Sequence, residues 1–164
     1  MKKIILILIT ALALTLISCS DNSKDDDVPA VGTVKMTLDG SSWQASGANA
    51  VLSTMGNNQQ LSIAGAKVVD LATNTFETVT ITIISNSAIT AGDYIWKSGL
   101  PYAQVTFSPT TSAQNTWSPG SAEITITKIT DDNVQGTFSA TLEKSGESNK
   151  VITSGGFNTN IMSF

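Results

Sequence analysis

Histidine and arginine are absent from this chain of 164 residues, and cysteine occurs once, at Cys19. Without histidine, the sequence excludes Ser-His-Asp triads, Cys-His dyads and histidine-rich zinc sites. Without arginine, and with a net charge of −4 at pH 7, it has no cluster of basic side chains for phosphate contacts, so we expect no nucleic-acid partner. A single cysteine excludes a disulfide bond within the chain. We also expect no metal ion and no cofactor.

The cysteine ends a segment that is typical of a bacterial lipoprotein signal peptide. Lys2 and Lys3 precede an apolar run over residues 4–17, and Leu16-Ile17-Ser18-Cys19 has the form of a lipobox. The run is short for a bilayer span, and a polar, acidic segment follows it at once. We therefore predict a signal peptide over residues 1–18, cleaved before Cys19. Acyl chains such as palmitate on Cys19 would then anchor the protein in the outer membrane.

Residues 19–32 are polar and acidic, and they predict a flexible tether. Within this tether, Lys24, Asp25 and Asp26 resemble the acidic export signal that one phylum of Gram-negative bacteria places just after the lipidated cysteine. That resemblance implies display on the cell exterior. If the cluster is a plain solvated spacer, the domain stays on the periplasmic face instead.

From Thr33 onward, apolar and polar residues alternate, which is the pattern of strands with one buried face. The clearest stripe is Val134, Gly136, Phe138, Ala140 and Leu142. Asp39-Gly40 and Asp131-Asp132-Asn133 predict tight turns between strands. We expect residues 33–164 to form an all-β domain, an antiparallel β-sandwich of about 8–10 strands, with a flattened, partly open β-barrel as the alternative.

Two segments near the C-terminus resemble the closing strands of small uncharacterised lipoprotein families, found in Gram-negative bacteria that display lipoproteins on the cell surface. Those families pair a G-T-F strand, here Gly136-Thr137-Phe138, with a final G-x-F-N strand, here Gly155-Gly156-Phe157-Asn158. Leu38 to Trp43 is similar to their first hairpin, and Ala91 to Tyr94 to their central strand. The resemblance implies a single β domain of unknown function on a lipid anchor, and it brings no catalytic residues. We interpret the three glycines as bulges or as close packing under a neighbouring aromatic side chain.

Five aromatic side chains are candidates for glycan contact, because the C–H faces of sugars stack on aromatic rings: Trp43, Tyr94, Trp96, Tyr102 and Trp117. Trp43 and Trp96 are expected in the core, where large aromatic residues of strands usually pack. Trp117 lies in the polar stretch from Pro109 to Gly120, which predicts an exposed loop and makes Trp117 the candidate ligand-binding residue. The alternative is that this loop folds back onto the sheet edge.

Six acidic residues of the domain are candidate catalytic carboxylates, and they are dispersed along the sequence: Asp70, Glu77, Asp93, Glu123, Glu143 and Glu147. A glycoside hydrolase needs two carboxylates in one cleft, and none of these lies in a recognisable catalytic motif. Asp131, Asp132 and Asn133 lack the glycine and the distal glutamate of a calcium loop. We therefore expect a non-catalytic binding or structural module with a glycan or a surface protein as partner. Envelope assembly or inhibition through edge-strand pairing is the alternative, and a carboxylate-dependent glycoside hydrolase is the least favoured.

Overall fold

The computed structural model describes residues 29–110 and 115–162, and none of these residues is in an α-helix. They form ten strands: β1 Thr33–Leu38, β2 Ser41–Gln44, β3 Gly47–Met55, β4 Asn58–Asp70, β5 Thr75–Ser85, β6 Gly92–Ile95, β7 Tyr102–Ser108, β8 Ser118–Ile129, β9 Asn133–Glu143 and β10 Lys150–Met162. The predicted all-β domain is confirmed.

The strands form two sheets that pack against each other and join along their edges. Sheet A has the order β2-β1-β10-β9-β8-β6, and sheet B the order β3-β4-β5-β7. At one side, Ile161 and Met162 of β10 pair in parallel with β3. At the other side, Phe107 of β7 pairs with Trp117, just before β8. The two joints give a flattened, partly open barrel, which is the alternative that the sequence left open.

The alternation predicted from the sequence places one face of each strand in the core between the sheets. In β9 the residues of the stripe from Val134 to Leu142 are buried, and the residues between them point outward. In β5, Val79, Ile81 and Ile83 are fully buried. β-Branched residues suit this half-covered, pleated surface. The outward-facing residues of β9, in sheet A, are all polar.

The G-T-F and G-x-F-N segments form one packing unit between β9 and β10. Their antiparallel register sets Gly136 opposite Phe157 and Phe138 opposite Gly155, so each glycine lies beside the aromatic ring of the other strand. A Cβ atom on Gly136 would overlap the Thr125 carbonyl oxygen and come within 2.5 Å of the Phe157 ring, and one on Gly155 would come within 2.7 Å of the Phe138 ring. The predicted packing of these two glycines under aromatic side chains is confirmed.

Asp39 and Gly40 make the predicted tight turn between β1 and β2. Both have positive φ, 51° and 79°, as a two-residue type I′ hairpin requires. The Asp39 carboxylate also accepts a hydrogen bond of 2.7 Å from the backbone N–H of Val151. The turn is therefore tied to the start of β10.

Asn158 connects the N-terminal part of the described chain to the barrel. Its buried carboxamide donates a 3.0 Å hydrogen bond to the Pro29 carbonyl and accepts one of 2.9 Å from the Asn133 side chain. Its backbone carbonyl accepts a 2.7 Å bond from the N–H of Gly32. Residues 29–32, the last part of the predicted tether, thus lie against β10.

Candidate functional site

A cleft of about 550 Å³ crosses the outer face of sheet A. It lies over a β-bulge in β10, where the register with both β1 and β9 shifts and Ser154 has a φ of 49°. Next to the bulge, Gly156 pairs with Lys35 on one side and with Thr137 on the other. Ser154 and Gly155 of the bulge line the cleft, with Lys35 and Thr137 on the strands to either side.

A second cleft of about 410 Å³ adjoins the first and shares Glu123 and Ser139 with it. Its far end is more apolar, because Ile95 of β6 and Val151 of β10 are 47% and 45% exposed there. We call the two clefts together the sheet A groove. The groove thus runs across the outer face of the sheet from β2 to β6.

Polar side chains without intramolecular partners line this groove. Six of these side chains make no hydrogen bond within the described residues. They are the carboxamide of Gln44 and the hydroxyls of Thr37, Ser42, Thr137, Ser139 and Ser154. Thr125 differs, because its hydroxyl donates a 2.7 Å bond to Asp93. A hydroxyl both donates and accepts, and a carboxamide does the same through its two ends. The groove therefore offers an array of free donors and acceptors to a polar ligand.

The comparison with protein families gives a match to a domain of unknown function (DUF6252) over residues 31–161. The chain belongs to the DUF6252 family. No curated protein and no solved structure matches it. The match extends from the residues before β1 to the end of β10, so the whole sheet A groove lies inside the DUF6252 domain. The predicted resemblance to a family of uncharacterised domains is thereby confirmed.

Several predicted features lie outside the part of the DUF6252 chain that the structure describes. These are the signal peptide over residues 1–18, the lipidation site at Cys19, the export signal at Lys24, Asp25 and Asp26, and the rest of the tether up to residue 28. Within the described residues, no helix has the length and apolar character that crossing a membrane would require.

Trp117 is buried in the DUF6252 domain, so its predicted exposure in a polar loop is wrong. It is 6% exposed, and its backbone exchanges hydrogen bonds of 2.8 and 3.2 Å with Phe107. The ammonium groups of Lys144 and Lys150 lie 4.4 and 4.8 Å from the centre of its ring. The physical reason is barrel closure: the pairing with β7 turns this residue inward, whatever the polarity of its neighbours in sequence. This is the alternative in which the loop folds back onto the sheet edge, and it leaves Trp117 little surface for a ligand.

Trp43 lies in the core as predicted, at 3% exposure. Its ring meets that of Phe107 edge to face, with 6.5 Å between the ring centres. Its indole N–H donates a 2.8 Å hydrogen bond to Glu77, whose carboxylate also lies 3.4 Å from the ammonium group of Lys67. Trp43 therefore links sheet A to sheet B rather than serving as a ligand contact.

Trp96 is exposed, and the prediction that it packs in the core is wrong. It is 40% exposed and meets the Tyr102 ring edge to face at 6.2 Å. The reason is position: β6 is an edge strand that ends at Ile95, so the next residue lies beyond the covered part of the sheet. Trp96 is not among the residues that line the groove.

Two of the six candidate carboxylates of the DUF6252 domain lie on neighbouring strands, because Asp93 of β6 pairs with Thr125, two residues from Glu123 in β8. Glu123 lines the groove, whereas the other five candidate carboxylates do not. The Thr73 hydroxyl and then the backbone N–H of Ala72 donate hydrogen bonds to Asp70 and lower its pKa. A general acid in a glycosidase needs the opposite shift. Within the described residues, no three acidic, cysteine or histidine side chains form a group suited to a metal ion.

The Asp131-Asp132-Asn133 segment forms the predicted turn between β8 and β9. The Asn133 carboxamide N–H groups lie 2.9 Å from the Asn158 side-chain oxygen and 3.0 Å from the Thr159 carbonyl, and donate to both. This turn residue thus belongs to the network that holds Pro29.

Proposed function

We propose that this DUF6252 domain is a non-catalytic binding module, held in the outer membrane by acyl chains on Cys19 and facing the cell exterior. The sheet A groove is its ligand-binding surface, and a glycan is its ligand. One observation carries the proposal: five hydroxyls and one carboxamide that have no hydrogen-bond partner within the described residues line a groove on the outside of a paired sheet.

The position of the groove favours a glycan over a protein segment. Extended peptides are commonly recognised by addition to a sheet edge, where backbone groups are free. The centre of the groove instead lies over β9 and β10, which have neighbours on both sides in sheet A. Recognition there depends on side chains, and hydroxyl and carboxamide groups match the hydroxyl and acetamido groups of sugars.

The binding surface is tested by filling the groove. Ser139 is exposed and lines both clefts, so Ser139→Trp should block the groove without disturbing the core. Thr106→Trp, on the outer face of β7 in sheet B, is the matched control. On an array of neutral, amino and acidic oligosaccharides, we expect the full chain to bind, Ser139→Trp to lose binding and Thr106→Trp to retain it. Equal binding by all three proteins would place the site elsewhere, and no binding by the unaltered chain would contradict the glycan assignment.

The alternative function, assembly through edge-strand pairing, is favoured by one observation on β6. Among the described strands, β6 pairs with β8 alone, and its last residue, Ile95, is exposed. A charged side chain on an edge strand discourages further pairing. Ile95→Lys should therefore remove a partner that is cross-linked to β6 in intact cells, and a partner cross-linked as strongly as before would contradict pairing at this edge.

A further inference from the structure

The sheet A groove contains two charged side chains of opposite sign. Lys35 of β1 and Glu123 of β8 line the groove, and neither makes an ion pair or a side-chain hydrogen bond within the described residues. Other lysines of the domain do have acidic partners: Lys67, Lys144 and Lys150. The groove thus holds one unpaired cation and one unpaired anion.

The strand register sets the distance between these charges. From Lys35 in β1, the pairing leads across the sheet to Gly156 in β10, to Thr137 in β9 and to Thr125 in β8. Glu123 lies two residues from Thr125 along β8. Neighbouring strands lie about 4.8 Å apart, so three steps give about 14 Å across the sheet. The offset of two residues along β8 adds about 7 Å at right angles to this, so the two Cα atoms lie about 16 Å apart. This is too far for a direct ion pair to form easily, and near enough for one ligand to contact both side chains. Free hydroxyls, including that of Thr137, occupy the space between.

We propose that the groove binds an oligosaccharide that carries both a free amine and a carboxylate. The ligand ammonium lies at Glu123, the ligand carboxylate lies at Lys35, and the hydroxyls between them contact the sugar rings. This inference rests on the proposed function, because it assigns a ligand class to the same groove. Both charges are open to solvent, so each contact is weakened as the salt concentration rises.

One oligosaccharide backbone tests this inference in four forms. An alternating polymer of glucosamine and glucuronic acid is prepared with its amine free or acetylated and its carboxylate free or methyl-esterified. Binding of each form to the full chain is measured by calorimetry at low and high salt. We expect the form with both free groups to bind tightest, and blocking either group to weaken binding about threefold to tenfold.

Two substitutions test which charged side chain contacts the ligand amine and which contacts the ligand carboxylate. Glu123→Gln should abolish the preference for the free amine and keep the preference for the free carboxylate, and Lys35→Met should do the reverse. Lys128→Met and Asp131→Asn, which change exposed charges outside the groove, are the controls and should bind like the unaltered chain. Equal melting temperatures of all four variants would show that the fold is retained.

The outcomes separate this inference from the proposed function. If Lys35→Met and Glu123→Gln keep both preferences of the unaltered chain while Ser139→Trp loses binding, the charge assignment is overturned and the groove remains the glycan site. If Ser139→Trp binds like the unaltered chain, the groove is not the site and both proposals fail. If none of the four forms binds, the ligand class is overturned. Binding of the three proteins to the oligosaccharide array then tests by itself whether the groove is a glycan site.

Discussion

Trp117 and Trp96 each lie next to the end of a strand, yet Trp117 is 6% exposed and Trp96 is 40% exposed. Trp117 has β7 beside it and two lysine side chains over its ring. Trp96 has one aromatic neighbour, Tyr102, and follows an edge strand. The polar residues around Trp117 led the sequence prediction to expose it, and the usual burial of large aromatic residues in strands led it to bury Trp96. Both assignments were wrong.

Truncating these two tryptophans should affect stability very differently. Trp117→Ala removes a large buried ring and should lower the free energy of unfolding by about 3–5 kcal/mol. Trp96→Ala is the control and should change it by less than about 1 kcal/mol, because much of that ring is already in solvent. Denaturant unfolding of both variants measures the difference. Similar losses in the two variants would contradict the burial of Trp117.

The hydroxyl of Thr159 is buried without a hydrogen-bond partner within the described residues. An unsatisfied buried polar group costs about 1–3 kcal/mol, so Thr159→Val should raise the free energy of unfolding by about 1 kcal/mol. Thr159→Ser, which keeps the hydroxyl and removes the methyl group, should lower it. Thermal and denaturant unfolding test both changes. A less stable Thr159→Val protein would show that the hydroxyl makes a favourable contact in solution.

At the level of elements, β9 and β10 are joined by the reciprocal packing of Gly136 with Phe157 and of Gly155 with Phe138. The sequence was sufficient to expect close packing at these glycines. It did not show which aromatic ring covers which glycine, because that depends on the register between two strands. One shift in that register would separate both pairs.

A methyl group on Gly136 should therefore destabilise the β9–β10 pair. Gly136→Ala would overlap the Thr125 carbonyl and press on the Phe157 ring, and we expect it to lower the free energy of unfolding by about 1–3 kcal/mol. Gly47→Ala, at the start of β3, meets no atom within 4 Å and should change it by less than about 0.5 kcal/mol. Equal stability of the two variants in a denaturant titration would contradict the packing described for Gly136.

For the molecule as a whole, the hydrogen bond from Asn158 to Pro29 determines where the N-terminal segment leaves the barrel. Pro29 lies beside the turn between β8 and β9, where Asn133 contacts Asn158. The turn at Asp39 and Gly40, and the loop between β9 and β10, lie at the opposite end of the barrel.

Membrane attachment should depend on Cys19. Each buried methylene of an acyl chain contributes about 0.8 kcal/mol, so two or three chains hold the protein firmly. Cys19→Ala should therefore leave the chain unprocessed or release it from the outer membrane, as measured by fractionation and by labelling with a fatty-acid analogue. Mature-length protein that still sediments with membranes after this change would refute the lipobox assignment.

Display on the cell exterior should depend on the acidic cluster after the cysteine. Protease added to intact cells should digest the unaltered domain. Replacing Lys24, Asp25, Asp26 and Asp27 by alanine should protect the domain on the periplasmic face. Lipidation, measured in parallel, should be unchanged. If both forms are equally protected or equally digested, the cluster is a spacer and not an address.

The sequence by itself determined the all-β class, the face that each long strand turns to the core, the hairpin at Asp39-Gly40 and the tight packing at Gly136 and Gly155. These features follow from local patterns: the side chains of a strand alternate between its two faces, and positive φ restricts the residues that a tight turn accepts.

Only the tertiary structure decided that the barrel closes through Trp117, that Trp96 is exposed, and that a bulge at Ser154 forms a groove with Lys35 and Glu123 on opposite walls. No local pattern carries that information. Strand order, register and bulges depend on contacts between residues that are far apart in the chain, and these contacts place β1 and β8 on either side of β9 and β10.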